Sequence, residues 1–366
     1  MGNYHGAMVS APGRVNLIGE HIDYHGLAVL PLALRQSIRV QYQARADGRI
    51  SATSGAYGHR EFVWTPLLEP VARGDWENYL RAAARAIAGK WGVLRGMDAT
   101  IASDLPAAAG LSSSSALMVA VTLALLRVNG REAGFEDLME ILPEGEQFVG
   151  TRGGGMDHAA SLASRAGCAS LVEFAPLAVH PIPIPQDWAF LVADSLQAAE
   201  KSGAVRERFN AVRAAGTRAL SEAGFASYAE AIGGRSEEEL GALAAARHLP
   251  PAFLHVVTEA FRVRHAVRAM REGDAGRFGR LLLASHASLR DRLQVSCPAL
   301  DRLVEAAMES GALGARLTGA GFGGSAVVFC RRDDVAKVHD GLVERFYSGR
   351  SGHILRAEAG PGAVNS

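Results

Sequence analysis

Residues 11–31 read APGRVNLIGEHIDYHGLAVLP. From Arg14 to Asp23 this stretch sets Arg14, Asn16, Glu20, His21 and Asp23, spaced by Gly19 and punctuated by Val15, Leu17 and Ile18. The alternation from Arg14 to Ile18 predicts a buried strand, and Gly19 ends it. A strand running into a turn with an Arg, a His and two carboxylates suits a polar ligand with several hydroxyls. Carboxylates accept pairs of O–H donors, and a fixed guanidinium donates to or polarises a neighbouring acid. A surface turn holding ordinary ion pairs, each worth about 0–1 kcal/mol, has the same spacing. These residues alone leave both readings open.

The bulk of the chain narrows the classes. Its 366 residues exceed what one hydrophobic core usually serves, so two domains are expected. Apolar residues make up 48% and charged residues 21%, the balance of an ordinary globular protein. Lys plus Arg equals Asp plus Glu at 38 each, so no global field draws nucleic acid or a membrane surface. Any anion must be held by local chemistry. Cys168, Cys297 and Cys330 lie far apart, with neither zinc spacing nor a disulfide framework, and are expected to be reduced thiols. The opening MGNYHGAMVSAP lacks the pattern of a signal peptide. The longest apolar run, Ala116–Leu126, is too short to span a bilayer. A cytoplasmic enzyme is expected.

Outward from the opening stretch, strands are predicted over 34–45, Ile50–Ala52 and Glu61–Trp64. A helix follows over Asp75–Lys90, with Tyr79, Leu80, Ala83, Ala86 and Ile87 at helical spacing, then a strand over Met97–Ser103. This order suggests α+β. Residues 104–128 read DLPAAAGLSSSSALMVAVTLALLRV: a small-residue loop between Pro106 and Gly110, four serines, then an apolar helix. Unpaired N–H groups at a helix start suit a polyphosphate, and a serine hydroxyl can bind Mg²⁺. A serine-rich cap on a core helix would read the same way. No Walker A is present, since Gly89-Lys90 is followed by Trp91.

In EGEQFVGTRGGGMDHAA, residues 144–160, three glycines at 153–155 let the backbone approach a ligand, and Met156-Asp157 opens a helix. Strands are predicted at 169–174 and 188–194. His180–Pro185 between them, with its alternating prolines, reads as a stiff linker and sets domains of 1–180 and 181–366. Helices are then expected over 197–223, 236–246, 252–272 and 275–292. Residues 314–329, GARLTGAGFGGSAVVF, place five glycines before an apolar strand.

The 11–31 stretch resembles the signature of galactokinases, within the GHMP family of small-molecule kinases. Ile22, His25 and Leu27 stand where most galactokinases carry Thr, Asn and Gly. The Glu-His-Ile-Asp-Tyr run is closer to the branch that includes N-acetylgalactosamine kinases and plant galactokinases. The serine loop resembles the second GHMP motif, which implies that Pro106, Gly110, Leu111, Ser112, Ser113, Ser114 and Ser115 bind ATP. Ser114 is then a metal ligand, although Ser115 stands where galactokinases often have Ala. The 144–160 run is similar to the galactokinase segment that carries the catalytic base. That implies Asp157 as base and Glu146 as second Mg²⁺ ligand, with Glu144 as a substitute. His158 stands where the family usually has Gln. Residues 199–213 resemble a helix whose Tyr reaches the sugar, and this chain has Phe209 there. Residues 284–304 resemble a segment particular to galactokinases, and 314–329 resemble the third GHMP motif. Little precedes Ala11, so an N-terminal segment of many galactokinases is expected to be short or missing.

The resemblance implies a two-domain α+β GHMP kinase fold with the active site in the interdomain cleft. It implies ATP-dependent phosphorylation of the anomeric hydroxyl of galactose or a close relative, with ATP and Mg²⁺; a monomer with no nucleic-acid or membrane partner is expected. Asp157 would take the hydroxyl proton while Arg14 keeps that carboxylate ionised. Arg14, Glu20, His21, Asp23, Gly155, Asp157 and Phe209 would contact the sugar. N-acetylgalactosamine kinase and L-arabinokinase are the alternatives within the branch. A catalytically silent sugar and ATP sensor is the alternative from another class, and the presence of Asp157, Arg14 and the serine loop stands against it.

Overall fold

The alternation around Arg14 belongs to a longer strand, β1 (Ala7–Ile18), paired antiparallel with β2 (Leu30–Ala44). The computed structural model describes residues 7–106, 110–150, 153–197 and 203–363. β3 (Arg49–Ser54), β4 (Gly58–Val63), helix α1 (Glu77–Trp91) and β5 (Met97–Ser103) complete the first unit. Its five strands run in the order β1-β2-β5-β3-β4, antiparallel except for the β3–β5 pair.

Helix α2 (Ser113–Val128) packs against this sheet, with every residue from Ser115 to Leu126 buried. A helix apolar on all sides has no other stable place. α3 (Phe135–Phe148) has no counterpart among the expected elements, and Pro143 lies inside it. α4 (Met156–Ala163) begins where the sequence predicts.

β6 (Cys168–Phe174) and β7 (Leu177–Pro183) form a two-stranded hairpin. The linker expected over 180–185 is therefore largely strand. A strand with one neighbour tolerates Pro181 and Pro183 because their missing N–H groups need not pair.

The second half runs through β8 (Trp188–Asp194), α5 (Gly203–Glu222), α6 (Tyr228–Ile232), α7 (Glu237–Ala246), α8 (Pro251–Glu272) and α9 (Ala275–Asp291). Residues 198–202, at the front of the helix expected over 197–223, lie outside the described residues. α10 (Pro298–Glu309), β9 (Gly314–Thr318), β10 (Ser325–Arg331), α11 (Val335–Leu342) and β11 (Ile354–Arg356) follow. The sheet β11-β8-β10-β9 is antiparallel throughout. β8 is buried on both faces, which explains its unbroken apolar run. Trp188, Phe190 and Val192 face the main core, while Ala189, Leu191 and Ala193 face a second core under α10 and α11.

The two halves are interlocked. The main core runs from Val9 and Val15 through α2 and α8 to Val327 and Phe329. Residues near the end of the described chain return to the first half. Arg35 N donates to Glu358 O at 3.1 Å, Gly360 N to Ala33 O at 2.8 Å and Gly362 N to Ser164 O at 2.8 Å. Among the described residues no helix is long and apolar enough to cross a membrane.

Candidate active site

Three chain segments meet at one carboxylate. The β1–β2 pairing shifts register between Pro12 and Arg14, and such irregularities re-aim the neighbouring side chain. Arg14 turns inward and its Nε donates to Asp157 Oδ1 at 2.7 Å. Its Nη1 donates to Gly110 O at 3.0 Å, and its backbone N–H to Leu111 O at 3.1 Å. Asp157 sits in the first turn of α4, where a helix favours negative charge. The hydroxyl of Ser112, at φ +54°, donates to Asp157 Oδ2 instead of capping α2. Arg14 is almost wholly buried. Burial works against its charge, but the charges of Asp157, Glu20 and Asp23 more than offset that and raise its pKa above the ordinary value.

The start of α2 is thus left without a side-chain cap. Ser113 is exposed and Ser114 half-buried there, with Gly110 and Pro106 half-buried alongside and Leu111 buried beneath. Ser115 turns the other way: fully buried, it donates to Glu146 Oε1 at 2.6 Å and lies 3.4 Å from Asp157 Oδ2. Glu146 comes from α3 and points inward, whereas Glu144 is exposed. Side chains of three or more His, Cys, Asp or Glu arranged to hold a metal do not occur among the described residues.

The turn after β1 supplies a second group. Asp23 Oδ2 accepts from Gly154 N at 3.1 Å. Only glycine allows that approach, since a Cβ at residue 154 would lie 2.3 Å from the Asp23 carbonyl carbon. Burial, with the Asp157 charge added, pushes Asp23 up to about 7. Gly155, at φ +98°, opens α4 beside it.

His21 is buried, and burial lowers its pKa, so it is the neutral imidazole. Its Nε2 lies 3.2 Å from Ala320 O and its Nδ1 2.7 Å from Tyr24 Oη. A carbonyl only accepts, so Nε2 carries the proton and Nδ1 accepts from the phenol. A ligand hydroxyl at His21 must share or replace one of these bonds. Phe209 reaches in from α5, with ring centroids 5.4 Å from His21 and 5.6 Å from Tyr24. A groove of about 570 Å³ opens between Gln147 and the Asn210, Arg213 and Arg218 side of α5.

Glu20 faces the glycine loop after β9: its Oε1 accepts from Gly319 N at 2.6 Å. Behind it is a buried network that the sequence did not announce. Arg316 of β9 donates to the carbonyls of Asn16 and Leu17, both at 3.1 Å, and lies 3.5 Å from Glu20. Glu259 of α8 accepts from Gly19 N at 3.0 Å, Ser285 Oγ at 2.6 Å and Arg262 Nε at 2.6 Å. Burial opposes its charge, but the charges of Arg262 and Arg316 and the Ser285 hydroxyl hold it down to about 2. His255 Nε2 donates to Glu20 O at 3.0 Å. The one local signal was the i,i+3 spacing of Glu259 and Arg262 on the buried face of α8.

Three family models match the chain: GHMP kinases N terminal domain over residues 78–165, GHMP kinases C terminal over 266–348, and galactokinase galactose-binding signature over 2–44. Galactokinase of Roseiflexus sp. (strain RS-1) is 36% identical, covering 98% of this chain and 93% of that protein. Galactokinase of Bos taurus is 33% identical, covering 96% and 91%. Among solved structures, Lactococcus lactis galactokinase complexed with galactose superposes with a TM-score of 0.90 at 27% identity, covering 99% of this chain and 96% of that one. A mevalonate kinase at 15% identity and TM-score 0.67, covering 96% and 98%, shares the fold.

Proposed function

The chain belongs to the galactokinase family of the GHMP kinases, and on that premise we propose that it transfers the terminal phosphoryl group of ATP to the anomeric hydroxyl of galactose. The observation that carries the reading is the Asp157 carboxylate, held by Arg14 on one oxygen and Ser112 on the other beside the uncapped start of α2.

Phosphoryl transfer asks the protein for positioning and charge neutralisation. Asp157 takes the proton of the anomeric hydroxyl as that oxygen attacks the γ-phosphorus, and ADP leaves. A guanidinium 2.7 Å away favours the ionised carboxylate and offsets charge in the transition state. Pro106 and residues 110–114 cradle the phosphates, with backbone N–H groups at the helix start offered to them. Asp23, Gly155 and the His21–Tyr24–Phe209 cluster orient the sugar, and Glu20 braces the glycine loop against the same turn. ATP and sugar meet between the halves, which divide near residue 180. The protein acts as a monomer in the cytoplasm.

The residues fit a magnesium ion brought by the nucleotide. Mg²⁺ takes one or two protein oxygens and completes its shell with phosphate and water. Ser114, half-buried at the loop, and Glu146, held inward by Ser115, would supply those oxygens. When bound, the ion neutralises charge on the β- and γ-phosphates.

The test is ADP release by purified protein with ATP, Mg²⁺ and single sugars: galactose, N-acetylgalactosamine, L-arabinose and glucose. Galactose-dependent ADP with formation of the 1-phosphate is expected. Preference for another sugar overturns the substrate assignment. Binding of ATP and sugar with no ADP release identifies a sensor.

A further inference from the structure

His158 lies next to Asp157 in sequence and is fully buried in α4. Neither of its ring nitrogens has a hydrogen-bond partner among the described residues. Buried polar atoms are nearly always paired, so an imidazole with both nitrogens open needs an explanation. The carboxylate facing it is Glu146, whose Oε1 is 3.8 Å from His158 Nε2, just outside hydrogen-bond range. That same Oε1 already accepts from Ser115 Oγ at 2.6 Å. The other oxygen, Oε2, lies toward Gly153, where an added Cβ would come within 3.1 Å of it. Glu146 is thus divided: one oxygen accepts from Ser115 with His158 Nε2 3.8 Å away, and the other faces a position kept clear by a glycine.

We propose that His158 is a positioning residue for Glu146, its Nε2–H closing on Oε1 opposite Ser115 so that Oε2 is the oxygen presented to the cation. The inference rests on the assignment of Glu146 as a metal ligand made above. A side chain that holds a ligating carboxylate from behind fixes its direction and lowers the cost of ordering it, and outer partners of this kind typically change metal affinity about 10–100-fold. Gln at this position could also donate from an amide N–H. The chemistry required is a donor of moderate reach at residue 158, not an imidazole as such.

The discriminating pair is His158→Gln and His158→Met, alike in length but only the first a donor. Mn²⁺ binding is measured by electron paramagnetic resonance on the full chain with the non-hydrolysable analogue AMP-PNP, so no turnover is involved. His158→Met is expected to weaken Mn²⁺ about 10–100-fold, and His158→Gln to remain within about threefold of wild type. Galactose affinity should be unchanged in both. Equal Mn²⁺ affinity in Met, Gln and wild type overturns the inference. Wild-type Mn²⁺ affinity in Glu146→Gln overturns it through its premise, and leaves the sugar-kinase reading to the ADP assay. A measurement on the wild type guards against misfolded variants: ¹⁵N-resolved imidazole spectra should show His158 protonated on Nε2. The Nδ1-protonated tautomer would refute the proposed contact.

Discussion

Arg14 and Asp157, separated by 143 positions in the chain, meet at 2.7 Å between guanidinium Nε and carboxylate Oδ1. The second oxygen of Asp157 accepts from Ser112, so both face donors. Asp157→Asn removes the proposed base and turns an amide NH₂ toward one of those donors. The expected result is a fall in kcat of about 10²–10⁴. Galactose affinity should stay within a few-fold, and Tm should drop modestly. Single-turnover kinetics with calorimetric binding check it, and turnover at the wild-type rate by a folded variant removes Asp157 as base.

Ser114 and Ser115 are neighbours with different surroundings. Ser114→Ala should raise the KM for Mg·ATP and shift its Mg²⁺ dependence while galactose binding is retained. Ser115→Ala should cost about 1–3 kcal/mol of stability, because Glu146 loses a buried donor. Denaturant unfolding and Mg²⁺ titrations on both variants check the division. Loss of metal dependence confined to Ser115→Ala would reassign the ligand.

Asp23 gives a pH dependence with a definite sign. Its folded pKa is raised from 3.8 to about 7, so the folded state holds a proton that the unfolded state has lost. Stability from this group is full below about 4 and falls as pH rises through about 7. Asp23→Asn should therefore raise Tm relative to wild type at pH 8, and the gap should close toward pH 4. In the proposed role Asp23 accepts from a sugar hydroxyl only when ionised, so galactose affinity should rise with pH through about 7 in wild type and be flat in the variant. Calorimetry across that range is the measurement, and a flat wild-type profile would exclude Asp23 as an acceptor.

What the sequence could reveal depended on whether a residue's partners were local. β5 spans Met97–Ser103 as expected, since its boundaries are written in its own alternation. α3 was not legible because Pro143 and Gly145 interrupt its pattern, and β7 because its prolines mimic a linker. The residues of the Asp157 cluster were all named in advance, from motifs carried by three separate stretches. Their partners were not. Ser112 turns to a carboxylate 45 positions away, and His21 pairs with Ala320 through geometry that only the folded turn creates. Glu259 bonds to Gly19, 240 positions distant, and Arg316 to Asn16, 300 positions distant, and Arg262 is the one neighbour in sequence that marks either of them.

Glu259 provides a stability test. It is fully buried, with Arg262 as its charge partner. Glu259→Ala leaves that charge and the Gly19 N–H unpaired, and breaking a buried pair costs about 3–5 kcal/mol. Its folded pKa is about 2 against an ordinary 4.5, so its contribution is full above about 4.5 and is lost as pH falls through about 2. Urea unfolding of wild type and variant at neutral pH should show the difference. A change under 1 kcal/mol would mean that the network contributes little.

Phe209 touches the rings of His21 and Tyr24 and has no hydroxyl. A phenol hydrogen bond contributes roughly 0.5–1.5 kcal/mol net. Phe209→Tyr should therefore change kcat/KM among galactose, N-acetylgalactosamine, glucose and L-arabinose by a factor of a few to about ten. Strong selectivity that the substitution does not alter would place this side chain outside the sugar pocket.

The return of residues 358–362 to the first half bears on biosynthesis. Leu34 pairs with Ala359, and the carbonyl of Ala33 accepts from Gly360 N. At about 5–20 residues per second, a ribosome delivers those partners on the order of tens of seconds after residue 34 emerges. Until then the stretch of β2 around Leu34, which β5 does not reach, has backbone groups open to water. The first half therefore cannot complete its hydrogen bonding during translation, and the nascent chain carries an adhesive strand edge for most of its synthesis.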